Sequence, residues 1–489
     1  MDTLPRFGTD GWRGRIGIDF TFERLRLVAA ATAAHFLARG LRHAVVGYDR
    51  RFLSDSFARH TAGILSAAGL ATRLSGSDLP TPALSWAAAA RGAFGVMITA
   101  SHNPPAFNGF KIKGPDGASL ADSAVRDIEA RMGRLAAEGF GAATPGRAEE
   151  PGKPAGGPEP ADFVEPYLQA VAERVDLQRL RARDWTVLVD SMHGTGGRLL
   201  EGLLAGGRTR VLTLRGQPDV LFGGHPPEPV EEHLREAAGR LREGAAQVGF
   251  ATDGDADRLA ALDEHGAYIG SQILTPLLAL HLAEHRGRRG AIAKTFAHTI
   301  LLDRLAAELG LPLRVRPIGF KHLAAILLEE PVLVAGEESG GIGVGGYIPE
   351  RDGLLCALLA LEALCVRGTT LGEAAAEIRR RFGDFHYRRI DLRSEPEPGL
   401  AAVEALAAAM PARLGCLEVS GVDRLDGLKC LLGEDGWILF RQSGTEPVLR
   451  IYAEARGRER LAPLLEDGVR SLGRFMPAGT LPARGASSA

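Results

Sequence analysis

An α/β protein is what this sequence predicts, and three features predict it. Short apolar segments alternate with amphipathic stretches along most of the chain, the pattern of strands covered by helices. Four of the apolar segments run directly into loops of Ser, Asp, Glu, Arg and Gly, and α/β sheets place ligands beyond the carboxyl ends of their strands. At 489 residues the chain is long enough for three or four domains, each burying its own core.

The elements follow in order. Residues 24–39 read as a helix, followed by a strand at 43–47. Phe94 to Ile98 is a short apolar strand that delivers Ser101 into a loop stiffened by Pro104 and Pro105, which lack backbone donors. Residues 141–160 are rich in Ala, Gly and Pro and read as a linker. A helix at 163–175 leads to a strand at 185–190. The Gly-rich stretch 191–197 lacks the GxGxxG spacing of a dinucleotide site and reads as a strand-to-helix turn. A further strand covers 292–295, and a helix covers 371–381, ending in a Gly-containing turn where a hinge is expected near 379–384. Residues 382–476 form a separate α+β unit, and 477–489 are small and polar, the composition of a flexible tail.

Each of the four loops carries its own chemistry. Ser101, before His102 and Asn103, is either a turn hydroxyl or a nucleophile. Asp253, Asp255 and Asp257 stand at alternate positions after a strand, and carboxylate oxygens are the hard ligands that Mg²⁺ selects. With Glu264 they match positions 1, 3, 5 and 12 of a calcium loop, but Arg258 stands where that loop needs Gly. A solvated acidic turn is the bland alternative. In the third loop Glu337 and Ser339 sit among glycines, which suits hydroxyl recognition or simply a turn. In the fourth, Arg441, Ser443, Gly444 and Thr445 offer a charged fork with hydroxyl and backbone donors for a phosphate, and the next strand brings Arg450 back.

Composition excludes other classes. A formal charge of −2 gives no basic surface for nucleic acid or an anionic membrane. No stretch approaches the about 18 apolar residues of a transmembrane helix. The four cysteines, Cys356, Cys365, Cys416 and Cys430, form no zinc-like pair and read as buried, reduced thiols of a cytoplasmic protein. No internal repeat at a solenoid period is visible.

Taken together, the loops resemble the α-D-phosphohexomutases. The stretch from Phe7 to Gly14 is similar to their amino-terminal signature, Thr99 to Pro104 to the phosphoserine loop, and Asp253 to Arg258 to the magnesium loop. Gly336 to Gly340 is similar to the sugar-specificity loop and Arg441 to Thr445 to the phosphate loop. The five occur in the family's order between residues 7 and 455. The resemblance implies three consecutive mixed α/β domains at 1–145, 160–262 and 263–378. A smaller C-terminal α+β domain at 384–476 follows, with the active site in the central cleft. It implies a phosphorylated Ser101, one Mg²⁺ on Asp253, Asp255, Asp257 and the Ser101 phosphate, and a hexose 1,6-bisphosphate as intermediate and activator.

It further implies roles. Arg13, His102, Lys111 and Arg258 join Ser101 in catalysis; Glu337, Ser339, Lys294 and Lys321 bind the sugar; Arg441, Ser443, Gly444, Thr445 and Arg450 hold the distal phosphate. The substrate is a hexose monophosphate, glucose first with mannose second, and glucosamine is the alternative suggested by related loops. The protein would act as a monomer or homodimer, with no nucleic-acid or membrane partner. Phe320 and Gly341 stand where relatives carry histidines, so Lys111, His102 or Lys321 must cover their roles, and Gln442 replaces a frequent Pro. A non-catalytic sugar-phosphate sensor and a metal-dependent phosphatase are the readings of other classes; a sensor would be expected to lose Ser101 or an aspartate.

Overall fold

A computed structural model describes residues 4–139, 157–444 and 447–476. Most of the expected linker, Thr445 and the tail at 477–489 lie outside the described residues.

The first sheet runs in the order Trp12–Arg15, Phe107–Lys113, Phe94–Ile98, His43–Tyr48, Ala71–Ser75 and Glu159–Ala161. Its last four strands are parallel, whereas Phe107–Lys113 pairs antiparallel with both neighbours. The second sheet has the order Tyr268–Ile269, Leu259–Leu262, Val248–Thr252, Thr186–Asp190 and Arg210–Leu214; the third, Leu313–Arg316, Ala291–Thr295, Val332–Gly336 and Ile342–Val344.

All three share one device. A central strand, fully buried along its length, leaves the parallel part of the sheet and returns as an antiparallel neighbour. The three hairpin loops so formed are the Ser101, Asp253 and Glu337 loops. The C-terminal sheet, ordered Phe385–Arg393, Val448–Arg456, Gly436–Gln442, Leu428–Leu431 and Gly421–Asp423, is antiparallel throughout. It presents the Ser443 loop as a hairpin turn too.

Packing fixes these loops relative to one another. Met97, Phe250 and Val334, each on one of the three central strands, belong to a single apolar core that crosses all three sheets. Dense cores transmit position because they hold few voids. The C-terminal sheet has its own core around Phe440 and Leu472 and meets the third through Phe296, Ala297, Trp437, Leu439 and Tyr452.

Several boundaries differ from the sequence expectation. The first long helix is Phe22–Leu37, because the Thr21 side chain caps it by accepting from Arg24 N. The helix expected at 163–175 is Val164–Ala172. Glu159–Ala161 completes the first sheet beside Ala71–Ser75, so residue 160 does not open a new one. The second sheet runs past 262, since Asp263 Oδ1 accepts from His265 and Ala267 N–H and turns the chain back into Tyr268–Ile269. Cys416 is exposed, not buried. Among the described residues, no single helix is long and apolar enough to cross a membrane.

Candidate active site

Ser101 sits at the tip of the first hairpin with φ +52, a left-handed conformation costing a non-glycine residue about 1–3 kcal/mol. Its Oγ donates to Asp253 Oδ2 at 2.6 Å across two domains. The approach is close enough that a Cβ at Gly254 would fall 2.5 Å from the Ser101 carbonyl oxygen. Glycine there is a steric requirement. The 191–197 turn supports the same loop from behind, with Thr195 N donating to Gly254 O at 3.0 Å.

Asp253, Asp255 and Asp257 are fully buried, and one oxygen from each lies within 4.8 Å of the others. Asp255 Oδ1 and Asp257 Oδ1 have no hydrogen-bond partner, an arrangement that buried polar atoms avoid unless a ligand completes it. Burial, then the Asp257 and Asp255 charges, pushes the Asp253 carboxyl well above the usual range; burial also raises Asp257. Burial would raise Asp255 likewise, but Lys111 and the Thr81 hydroxyl, 2.5 Å away, outweigh it and hold this carboxyl low. Three converging hard oxygens with spare lone pairs and mutual repulsion fit a divalent cation.

Lys111 is caged. Its Nζ lies 2.9 Å from Asp10, 2.8 Å from Asp255 and 3.1 Å from Asp257. Burial alone would lower its pKa, but the three carboxylates raise it, so it stays an ammonium and supplies charge, not a proton-accepting amine. His102 is the reverse case: burial, with Arg258 and Arg13, holds its pKa well down, and the neutral ring places Nδ1 3.4 Å from Ser101 Oγ. Arg13 donates to Asn103 Oδ1 at 2.5 Å. Arg258 lies 3.9 Å from Glu228, and Leu259 N donates to Gly340 O, joining the aspartate and Glu337 loops through their backbones.

Arg351 is the hub that sequence reasoning missed. Its guanidinium reaches Asp10 and Asp257 at 2.7 Å each and Glu337 at 3.1 Å, and only 4 % of the side chain is exposed. Asp10 and Thr81 were missed with it. One signal was available: Lys111 and Lys113 alternate within an apolar strand and both are buried, a placement lysine tolerates only when paired. Glu337, pushed up to about 7 mainly by burial, stands beside Arg351. Ser339 is half-buried next to it.

The two lysines expected at the sugar each pair with a carboxylate of the protein. Lys294 bonds Thr299 O at 3.0 Å and pairs with Asp303. Strand alternation puts it on the opposite face from Thr295, whose hydroxyl donates to Glu338. Lys321 pairs with Asp122 of the first domain, so its ammonium is engaged at that contact.

On the C-terminal sheet, Arg441 is paired opposite Arg450, which is paired opposite Asp391. Arg389, two residues from Asp391, shares that face and contacts Asp391 at 2.8 Å; Arg441 contacts Asp426 at 2.9 Å. Arg389 is a further cation that sequence reasoning missed. Ser443 is buried with its N–H on Val448 O, and Gly444 is exposed at the turn.

The chain matches four consecutive phosphoglucomutase/phosphomannomutase families: alpha/beta/alpha domain I over residues 5–138, domain II over 165–266, domain III over 270–382 and the C-terminal domain over 392–470. A phosphoglucomutase/phosphomannomutase of Thermococcus kodakarensis is 31 % identical over 480 residues, covering 95 % of this chain and 98 % of that one. A phosphoglucosamine mutase of Beijerinckia indica is 30 % identical over 482 residues, covering 96 % and 98 %. The crystal structure of a candidate phosphomannomutase from Thermus thermophilus superposes with a TM-score of 0.84 at 35 % identity, covering 97 % of this chain and all of that one. With every domain matched in order and the relatives aligned over nearly their whole length, the chain belongs to the phosphoglucomutase/phosphomannomutase family, the α-D-phosphohexomutases.

Proposed function

We propose that this chain is a Mg²⁺-dependent mutase that interconverts hexose 1-phosphate and hexose 6-phosphate through a phosphoserine at Ser101. The observation that carries the reading is the 2.6 Å contact of Ser101 Oγ with Asp253 inside a buried aspartate triad. Phosphoryl transfer is governed by positioning and by neutralising charge on the transferring oxygens. When bound to Asp253, Asp255 and Asp257, the cation supplies Lewis-acid neutralisation of that phosphate.

The protein's own groups supply the rest. In the first transfer the Ser101 O–P bond breaks as an O–P bond forms to the sugar hydroxyl, whose proton passes to a base. His102 is the neutral group beside Ser101 and takes that role. Lys111, Arg13 and Arg258 offset the roughly −3 to −4 carried by a bisphosphate. The bisphosphate turns over, and Ser101 recovers the other phosphate. Glu337 and Ser339 receive sugar hydroxyls, while Arg441, Ser443, Gly444, Thr445 and Arg450 grip the distal phosphate. Arg389 joins that grip.

Glucose, with mannose second, is the substrate reading from the Glu337-Glu338-Ser339 loop. Glucosamine is the second reading, favoured because relatives such as the Beijerinckia indica protein are named phosphoglucosamine mutases. Side-by-side turnover of glucose, mannose and glucosamine 1-phosphates decides between them. Intact mass should show one phosphate on wild type and none on Ser101→Ala. Turnover by Ser101→Ala, or release of free phosphate instead of isomerised product, overturns the mutase.

A further inference from the structure

Arg51 lies outside the four polar loops, yet it is only 3 % exposed and touches the serine loop along its whole length. One guanidinium nitrogen donates to Ser101 O at 2.6 Å and Asn103 O at 2.7 Å; the other donates to Pro104 O at 2.9 Å and Phe107 O at 3.0 Å. Four carbonyls of one short loop therefore converge on a single planar fork. Arginine alone among side chains offers that many donors in fixed geometry.

The fork is itself held. Arg51 Nε lies 3.1 Å from Asp49 Oδ2, and both side chains are fully buried. Asp49 accepts from Thr99 Oγ1 at 2.6 Å and Ser54 Oγ at 2.7 Å, and Thr99 Oγ1 in turn accepts from Ser101 N at 2.9 Å. Ser101 is thus fixed on both sides: its N–H through Thr99 and Asp49, its carbonyl by Arg51. From the second domain, the Phe222 ring covers the guanidinium at 5.0 Å, with Phe222 itself at φ +51. The adjacent Arg50 ties the same segment to Gly216 O at 3.0 Å and to Asp78 at 2.7 Å.

We propose that Arg51 is a positioning residue. Bridging Asp49 and the four serine-loop carbonyls under the Phe222 ring, it holds Ser101 in its left-handed conformation with Oγ aimed at Asp253. The proposal rests on Ser101 being the phosphorylated nucleophile. Such a residue acts on the reacting geometry and not on substrate contacts. Its loss therefore lowers kcat while leaving KM nearly unchanged, and a displacement of about 1 Å can cost about 100-fold in rate.

The test compares Arg51→Lys, which keeps a charge for Asp49 but loses the fork, with Phe222→Leu, which removes the ring from the second domain and leaves the buried pair intact. For each, Tm, kcat, KM for glucose 1-phosphate and the phosphoserine fraction by intact mass are read. Arg51→Lys is expected to lower kcat about 100-fold with KM within about threefold. Phe222→Leu should lower kcat severalfold with the same unchanged KM. If Arg51→Lys does not fold, Phe222→Leu alone decides. Normal kcat in a folded Arg51→Lys, normal kcat in Phe222→Leu, or a KM rise matching the kcat loss overturns the proposal. Ser101→Ala runs alongside: a turnover-competent alanine variant sinks the phosphoserine reading itself, whereas an inactive one with an unaffected Arg51→Lys sinks only the positioning role.

Discussion

Asp253, Asp255, Asp257 and Lys111 are at most 1 % exposed, whereas Arg441, Arg450 and Arg389 on the C-terminal sheet keep 14, 20 and 32 % of their side chains in solvent. The serine end is also knitted across domains: Thr81 bonds Asp255, Arg351 bonds Asp10 and Asp257, and Ser101 bonds Asp253. At the other end, the ion pairs described for these arginines are with Asp391 and Asp426 of the C-terminal unit itself, and Asp426 accepts from Ile318 N of the third domain as a tie across. Chemistry needs a dry, preorganised pocket in which charges interact strongly. In the proposed reaction, a grip that must release and retake a turning bisphosphate works better at a wetter surface, where each contact is weaker.

The largest expected difference between the two ends is in stability. Lys111→Met strips Asp255 of its paired ammonium and leaves Arg351 to serve Asp10 and Asp257 alone, and breaking a buried ion cluster in this way costs about 3–5 kcal/mol. Arg441→Met, at the more exposed end, should stay within about 0.5 kcal/mol. Urea titrations of both variants check this. Equal losses would erase the distinction between a buried and a solvated end.

Metal removal comes next. Because Asp253 is pushed toward protonation by burial and by the Asp257 and Asp255 charges, and Asp257 by burial and the Asp255 charge, a bound divalent cation relieves that penalty and stabilises the fold. At a hundred times its Kd, Mg²⁺ should add about 2.7 kcal/mol, read as a rise in Tm after EDTA dialysis and re-addition. Asp255→Asn and Asp257→Asn should abolish the rise together with turnover. A Tm indifferent to Mg²⁺ in wild type would remove the metal from the serine end.

The two ends were also unequally legible in sequence. The Ser101, Asp253, Glu337 and Arg441 loops announce themselves because polar residues follow apolar strands within a few positions. Arg351, Asp10, Thr81 and Arg51 do not. Each acts through a partner more than 50 positions away or in another loop, and sequence spacing carries no information about such contacts. Lys294 was legible as a lysine on a strand of the third domain, but its pairing with Asp303 nine positions on was not. The shared hairpin of the three sheets was hidden for a further reason. Backbone topology repeats here without a visible repeat in side chains.

Arg441→Lys keeps a charge but loses the fork that can take a phosphate bidentately. KM for the monophosphate should rise about tenfold, roughly 1.4 kcal/mol, with kcat for retained substrate nearly unchanged. More bisphosphate should escape during turnover, measured by trapping. Normal retention would mean that Arg389 and Arg450 hold the phosphate without it, or that the grip lies elsewhere.

The smallest effect lies at Glu337, between the two ends. Burial raises its carboxyl to about 7, and Arg351 only partly opposes this. Since the folded value exceeds the unfolded one, the group's contribution to stability is fully present below about 4.5 and is lost as pH rises through about 7. For binding, the sign is the other way. Above 7 the carboxylate becomes acceptor-only and can receive sugar hydroxyls, a gain of about 1 kcal/mol or roughly fivefold. The ratio kcat/KM should therefore climb between pH 6 and 8 and level off, and Glu337→Gln should flatten that rise. Because Gln keeps the shape and one acceptor oxygen, its loss relative to wild type should be greatest at pH 8 and vanish near pH 6. An identical inflection in the variant would assign the titration to another group and leave Glu337 as a partner of Arg351 alone.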